Sequence, residues 1–444
     1  MKNIRVSLPL TLVALLALWW IGDPAAHAAP THWLGWRNLA VQATGVLAIG
    51  TMSAALVLAL RPRLLEPWFG GLDKMYRLHK WLGIAALATA VLHWLASQTP
   101  KWLVGLGLLQ PPQRGPRAQI AGEPLREFFM AQRGNAEGLG EWAFYAAAVL
   151  IVLALVKRFP YRYFFKTHRL LAIAFLVLAW HAMVLLSWES WPGVLGVGVA
   201  LMLAAGVVAS LRLLLRRTAA EREVVGEVEQ VIRHDALGVV ELVLAMKGRW
   251  PGHAAGQFAF LTLHDDEGPH PFTLTSAWKD DGRIDFIIKG LGDYTRTLAE
   301  RVKPGDVARV EGPYGRFDFE RSAQRQIWIG GGIGITPFIA RMKALAAAPD
   351  GRKVDLFHTT KDMDPNGITL LERDAAAAGV RLHVLWDERD GLLNAQRLVD
   401  TVPDWRDADL WFCGPAGFGR ALRRELVARG LPEARFHQEL FEMR

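Results

Sequence analysis

The chain has 444 residues, of which 52% are hydrophobic and one is a cysteine, and its formal net charge is +8. This length suffices for two or three domains, and the lone Cys413 excludes an intrachain disulfide and a cysteine-rich metal or iron–sulfur site. The positive charge does not indicate nucleic-acid binding, because the long apolar runs lie before residue 217 and basic residues cluster at their ends.

Six apolar stretches predict membrane-spanning helices. They are residues 6–21, 39–60, 81–95, 142–156, 170–186 and 194–215. Several are shorter than the roughly 20 residues that usually cross a bilayer, so we expect polar ends within the membrane thickness. The first stretch also fits a cleaved signal peptide, since Lys2 and Arg5 precede it and Ala26-His27-Ala28 resembles a processing site.

Basic residues predict the orientation of these helices. They cluster at the N-terminus and in the connections 61–80 and 157–169, which the positive-inside rule places in the cytoplasm. The connections 97–141 and 188–192 carry acidic residues and fit the outer side. With six spans, both termini and everything after residue 217 are expected on the cytoplasmic side of the plasma membrane.

Four histidines lie in or beside two of the predicted spans. His79 and His93 are separated by a helical rise of about 21 Å, and His168 and His181 by about 19.5 Å. Each span therefore presents one imidazole towards each face of a hydrocarbon core roughly 30 Å thick. Ionisable groups at membrane depth usually mark a pathway or a bound group, and imidazoles are axial haem ligands.

The spacing predicts an inner haem between His79 and His168 and an outer haem between His93 and His181. The alternative is that all four are ordinary helix histidines bonded to their neighbours. Thirteen residues of regular helix leave two side chains about 140° apart around the axis, so we expect the fifth span to depart from regular geometry.

After residue 217 the pattern changes to short alternating strands at 223–232, 239–244, 257–263 and 283–288, which indicate an antiparallel barrel. Three segments supply hydroxyls, backbone donors and small residues suited to a flavin groove. They are residues 270–276, 289–295 and 311–315.

From residue 326 strands alternate with helices. The strand 327–329 runs into a glycine turn at 330–337 and a helix to Leu345, and further strands are 353–358, 381–386 and 410–413. Glycines at such a turn let backbone amides approach a pyrophosphate at the helix end. Thr360 and Lys361 come shortly after the strand 353–358 and suit a 2′-phosphate. Because NADPH carries this phosphate and NADH does not, NADPH is favoured as the dinucleotide.

Together these features resemble the transmembrane ferric reductase and NADPH oxidase superfamily, with its ferredoxin-reductase-type FAD/NAD(P) module. The resemblance covers about residue 39 to the C-terminus. It is carried by the paired histidine spacings and, in the family's order, by His270-Pro271-Phe272-Thr273, Gly312-Pro313-Tyr314-Gly315, Gly331-Gly332-Ile333-Gly334-Ile335-Thr336-Pro337 and Cys413-Gly414-Pro415. It implies a transmembrane haem-binding bundle at 1–217, an FAD-binding β-barrel at 218–324 and an α/β NAD(P)-binding domain at 325–444.

The resemblance also implies site residues. The haem ligands would be His79, His93, His168 and His181. The flavin would be bound by His270, Pro271, Phe272, Thr273, Lys289, Gly292 and Thr295. The dinucleotide would be bound by Gly331, Gly332, Gly334, Thr336, Pro337, Thr360, Lys361, Cys413 and Gly414. The catalytic residues would be Phe441, Cys413 and Thr273, with Phe441 stacked on the flavin until nicotinamide displaces it. Related flavoreductases commonly have an arginine where His270 stands.

The implied function is electron transfer from cytoplasmic NAD(P)H through FAD and two b-type haems to a small acceptor outside. Oxygen, giving superoxide, is the expected acceptor, and a ferric or cupric chelate or a quinone is the alternative. Functions of other kinds are a membrane haem-binding sensor with an idle dehydrogenase domain and a tethered reductase for a soluble acceptor. The expected partners are the lipid bilayer, NAD(P)H and the acceptor, with no nucleic acid.

Overall fold

A computed structural model describes residues 2–110, 123–156, 158–215, 220–319, 323–362 and 364–439. The first half is helical. Its helices are α1 (Lys2–Gly22), α2 (Trp33–Ala59), α3 (Glu66–Phe69), α4 (Leu72–Gly105), α5 (Pro124–Leu155), α6 (Tyr161–His168), α7 (Leu170–Leu185) and α8 (Val194–Leu214). The chain divides into two compact units, one chiefly of these helices and the other of all later elements.

Five of the described helical segments are long and apolar enough to cross a membrane. They are α2, α4, α5, the segment Tyr161–Leu185 that joins α6 and α7, and α8. These confirm five of the six predicted spans as candidate membrane helices. The apolar part of α1, Val6–Gly22, is shorter, so its role as a sixth span stays a prediction. Helices α4 and α5 extend well beyond the predicted apolar runs, because polar residues continue the helix at its ends.

The fifth span is interrupted at Arg169, between α6 and α7. The Arg169 N–H bonds to the carbonyl of Thr167, and the Ala172 N–H bonds to the Arg169 carbonyl, so the four-residue bonding pattern is broken there. The Arg169 guanidinium donates to the carbonyls of Leu213 and Leu214 at the end of α8. The interruption falls between His168 and His181, where their thirteen-residue spacing requires a departure from a regular helix.

The second unit begins with a six-stranded antiparallel sheet. Its elements are β1 (Glu223–His234), β2 (Val239–Met246), β3 (Phe258–Thr262), β4 (His270–Thr273), β5 (Arg283–Lys289), α9 (Asp293–Arg301) and β6 (Val307–Tyr314). The strand order is β4-β3-β6-β1-β2-β5. Alternate residues of β2 and β6 are buried, so one face of each strand packs in the core. A bridge between Leu274 and Phe286 brings the two sheet edges together.

A five-stranded parallel sheet follows. Its elements are β7 (Arg325–Gly331), α10 (Thr336–Ala347), β8 (Lys353–Thr360), α11 (Pro365–Ala377), β9 (Arg381–Trp386), α12 (Asp387–Asp390), α13 (Ala395–Thr401), β10 (Asp409–Cys413), α14 (Ala416–Ala428) and β11 (Phe436–Gln438). The order is β11-β10-β7-β8-β9, so β7 and β10 are neighbours in the middle of the sheet. Both are buried almost throughout, as expected for parallel strands covered on two faces.

Candidate functional site

The four membrane histidines form two pairs. The ring centroids of His79 and His168 are 5.8 Å apart, and those of His93 and His181 are 6.1 Å apart. In each pair one ring belongs to α4 and the other to the α6–α7 segment. The structure therefore brings these residues together in the combination that the sequence predicted.

Three of these rings are oriented by the backbone. The Nδ1 atoms of His79, His93 and His181 lie 2.9, 3.0 and 2.8 Å from the carbonyl oxygens of Ala55, Val41 and Ala136 respectively. A carbonyl only accepts, so each Nδ1 carries the proton and each Nε2 keeps its lone pair for a metal.

His168 is held differently. Its Nδ1 is buried and has no hydrogen-bond partner among the residues that the structure describes. Its ring instead stacks on Phe164, with centroids 5.0 Å apart and planes inclined by 22°. An aromatic contact from the previous turn of α6 thus orients this imidazole.

The spacing within each pair fits two imidazoles that share one metal. A metal–imidazole bond is about 2 Å long and the ring centroid lies roughly 1 Å behind the nitrogen, so two opposed rings have centroids about 6 Å apart. Glycines also leave room beside the outer pair. A Cβ at Gly45 would lie 3.3 Å from His93 Cε1, and one at Gly140 would overlap the His181 ring. The arrangement therefore fits bis-imidazole haem ligation.

The expected flavin segment forms the edge strand β4. The His270 ring stacks on Tyr294, with centroids 4.6 Å apart, and lies 6.2 Å from Phe272. Thr273 is buried at the end of the strand. The Thr275 hydroxyl, two residues on, is buried without a hydrogen-bond partner among the described residues, as expected where a bound polar group supplies one. Tyr294 was not predicted as a site residue, although it lies inside a motif that was.

The other predicted flavin residues lie at the end of β5, in the turn after it and at the start of α9. The Thr295 hydroxyl accepts from the N–H groups of Leu291 and Gly292, at 3.0 and 2.9 Å, so it caps the start of α9. Lys289 Nζ lies 2.5 Å from the carboxylate of Asp362. Lys289 is thus a basic group at the start of this segment, and Thr295 fixes the backbone of the turn through its hydroxyl.

The two glycine turns predicted for the dinucleotide meet at the carboxyl ends of β7 and β10. Gly330 pairs with Cys413 across these strands. A Cβ at Gly414 would lie 3.1 Å from the Gly331 backbone, and one at Gly334 would overlap the Cys413 carbonyl. Glycine is therefore required for the turns to approach each other. Gly332, with φ of 55°, leads into the turn before Thr336 and Pro337, which start α10.

Cys413 lies beneath this junction. It is fully buried, and burial raises the pKa of its thiol well above the ordinary value. The thiol is therefore neutral at physiological pH. Phe441, the residue expected to stack on the flavin, lies outside the described residues.

The end of β8 and the loop that follows it contain the residues expected at the 2′-phosphate. Lys361 is exposed, and its carbonyl accepts from Trp386 Nε1 at 3.0 Å. The Thr360 hydroxyl donates to the Asp362 carbonyl and accepts from the Asp362 N–H. Asp362, which was not predicted as a site residue, lies in the same loop, and its carboxylate pairs with Lys289.

The burial of His270 has a consequence for stability. Burial lowers its pKa to about 4, whereas an unfolded chain protonates this group near pH 6.5. Between these values the unfolded state binds more protons, so stability falls as the pH drops from 6.5 towards 4. We expect the melting temperature of the purified protein, measured by calorimetry, to fall over this range and to fall less in His270→Asn. An equal fall in both proteins would contradict this role for His270.

Two parts of the chain match known protein families. Residues 44–179 match the ferric reductase like transmembrane component, and residues 236–318 match an FAD-binding domain. The chain is 28% identical over 220 residues to a flavohemoprotein of Bordetella pertussis, covering 44% of this chain and 54% of that protein. It is 30% identical over 201 residues to a flavohemoprotein of Rhizobium meliloti, covering 42% and 48%.

Among solved structures, the flavohem-like FAD/NAD binding domain of nitric oxide dioxygenase from Vibrio cholerae has 22% identity and a TM-score of 0.43, covering 49% of this chain and 97% of that one. The chain spans about half the length of the curated relatives described above. The two matched components occur in the order that the sequence predicted. The chain thus has the domain architecture of the transmembrane ferric reductase and NADPH oxidase superfamily.

Proposed function

We propose that this protein is a transmembrane oxidoreductase that passes electrons from cytoplasmic NAD(P)H through FAD and two b-type haems to an acceptor on the outer side. Its proposed domains are the membrane bundle at 1–217, the FAD-binding barrel at 218–324 and the NAD(P)-binding domain at 325–444. Its proposed location is the plasma membrane, with both termini in the cytoplasm.

One observation carries this proposal: the two imidazole pairs. Their centroid separations of 5.8 and 6.1 Å suit metal ligation, and both pairs lie on apolar helical segments long enough to cross a bilayer. Along α4 the two levels are separated by about 21 Å, so one pair lies towards each face of the membrane. If the four histidines only made hydrogen bonds between helices, there would be no reason for their rings to face each other in pairs at two levels of the membrane.

The cofactors, when bound, supply hydride acceptance and the change from two-electron to one-electron transfer. The chain's own residues bind and orient them. In this proposal Nε2 of each membrane histidine ligates iron, and the β4 residues from His270 to Thr273 line the flavin. Gly331, Gly332 and Gly334, with Thr336 and Pro337, bind the dinucleotide. Cys413 and Gly414 flank the nicotinamide, and Phe441 stacks on the flavin.

NADPH is the proposed donor and oxygen the proposed acceptor, with superoxide as the product. Lys361 supports the donor assignment, because it is exposed on the loop where a 2′-phosphate would be recognised. Both imidazoles of a pair would hold the haem, which would favour electron transfer to an external acceptor over oxygen binding. A ferric or cupric chelate or a quinone is the alternative acceptor.

The test uses the purified full-length protein. We expect two haems and one FAD per chain, haem reduction by NADPH under anaerobic conditions, and superoxide-dismutase-sensitive reduction of cytochrome c in air. The ratio of kcat/KM for NADPH and NADH checks the donor. Fewer than two haems per chain, or no reduction of flavin by either nucleotide, would overturn the proposal. Reduction of a ferric chelate without superoxide formation would instead identify the chelate, and not oxygen, as the acceptor.

A further inference from the structure

Glu141 is a carboxylate at the outer end of the apolar part of a candidate membrane helix. It lies in α5, and the fourteen residues from Trp142 to the end of that helix at Leu155 are uncharged. That stretch rises about 21 Å, so Glu141 falls within a hydrocarbon core roughly 30 Å thick if the helix ends at the cytoplasmic face. A carboxylate at such a depth is costly and calls for a function.

Three donors from two helices converge on one oxygen of this carboxylate. Glu141 Oε1 lies 2.6 Å from the Tyr145 hydroxyl, 3.1 Å from Gln98 Nε2 and 3.5 Å from Trp94 Nε1. Tyr145 is one turn away on α5, whereas Gln98 and Trp94 belong to α4. The surrounding groups therefore donate hydrogen bonds to Glu141, which is what an ionised carboxylate requires.

The carboxylate lies at about the same level along the helices as the outer histidine pair. Trp94 directly follows His93 in α4, and Gly140, which faces the His181 ring, directly precedes Glu141 in α5. The inner ligand His79 is fourteen residues, or about 21 Å, from His93 along α4. Glu141 is thus a charge at the level of the outer pair only.

The other nearby carboxylate of α5 is already balanced. Glu137, one turn before Glu141, pairs with Arg133 at 3.3 Å. By contrast, the donors that reach Glu141 are a phenol, an amide and an indole, none of which carries charge. None of these hydrogen bonds neutralises the negative charge of Glu141, and the attraction of Lys101 is weaker than the effect of the Tyr145 and Trp94 hydrogen bonds.

We propose that Glu141 lowers the reduction potential of the outer haem. A negative charge in a medium of low dielectric constant stabilises the oxidised, more positive iron over the reduced one, and net charge is among the factors that set haem potentials. The outer haem then becomes a stronger reductant for the external acceptor. This inference rests on the proposed function, since it requires a haem between His93 and His181.

The test is a potentiometric titration of the haems in the full-length protein and in Glu141→Gln. The glutamine keeps a hydrogen-bond acceptor and removes the charge. We expect the potential of the outer haem to rise and that of the inner haem to stay unchanged. Glu127→Gln is the matched control, because it makes the same change in α5 about 21 Å further from the cytoplasmic end, and it should shift neither haem.

Two more variants separate charge from hydrogen bonding. Tyr145→Phe removes the shortest hydrogen bond and keeps the charge, so its shift should be smaller than that of Glu141→Gln. Gln98→Lys places a positive charge beside Glu141 and should raise the outer potential even if Glu141→Gln fails to fold. An unshifted outer haem in both charge variants, or equal shifts of both haems, would overturn the inference. A wild-type protein without two haems would instead refute the proposed function.

Discussion

Replacing His93 with leucine is expected to reduce the haem content from two per chain to one. Leucine fills similar space but offers no nitrogen, and the ring 6.1 Å away on His181 would be left as a single axial ligand. Because the outer haem is the proposed last carrier, transfer to an external acceptor should fall roughly 100-fold or more, since even outer-shell partners of metal ligands cost 10–100-fold. Haem quantitation and NADPH-driven acceptor reduction measure both effects.

A matched control for this variant is His32→Leu. His32 is exposed, and its Nδ1 lies beside the Thr31 hydroxyl, away from both histidine pairs. It should keep two haems and full acceptor reduction. If His93→Leu also retained both haems, the outer pair would be wrongly assigned.

Replacing Gly140 with alanine is the second change with a large expected effect. The added methyl group would overlap the His181 imidazole, which donates through Nδ1 to the carbonyl of Ala136 one turn earlier. Either the ring leaves this hydrogen bond or α5 moves outwards, and both displace the ring from His93. We expect loss of the outer haem, or a low-spin spectrum altered for that haem only.

Gly138→Ala provides the comparison, since no atom lies within 4 Å of a Cβ placed at Gly138. Both variants remove one glycine from the same helix, so their effects on helix propensity are alike. Spectra and haem content should remain as in the wild-type protein for Gly138→Ala. Matching losses in the two variants would show that helix backbone, and not space at His181, is responsible.

The sequence predicted the histidine pairs because helical rise and membrane thickness are both regular. Fourteen residues of α4 translate directly into a distance, and the pairing follows once two such spans run in the same direction. The thirteen-residue spacing also indicated that the fifth span could not be a regular helix. Its interruption at Arg169 could not be located, because the contacts there involve the end of α8, more than forty residues away.

The strands of the second unit were predicted best where no proline interrupts them. Strands β1, β2, β5, β8 and β9 begin at the predicted residues. The short edge strand β4 and the strand β6 were not predicted as strands, because prolines at positions 271 and 313 weaken their signal. The stacking of Tyr294 on His270 was also missed, since it joins α9 to a distant sheet edge. Contacts of this kind depend on tertiary packing and not on local pattern.

Backbone carbonyls, and not side chains, orient three of the four histidine rings. The residues that supply these carbonyls can therefore be substituted without loss of the hydrogen bonds. Val41, Ala55 and Ala136 contribute only their carbonyl oxygens to His93, His79 and His181, and any residue that keeps the helix supplies the same acceptor. Side-chain mutagenesis at these three positions would therefore leave the hydrogen bonds intact. The backbone paths of α2 and α5 determine where these three carbonyl oxygens lie. These two helices contain no proposed haem ligand, yet they set the orientation of the three rings.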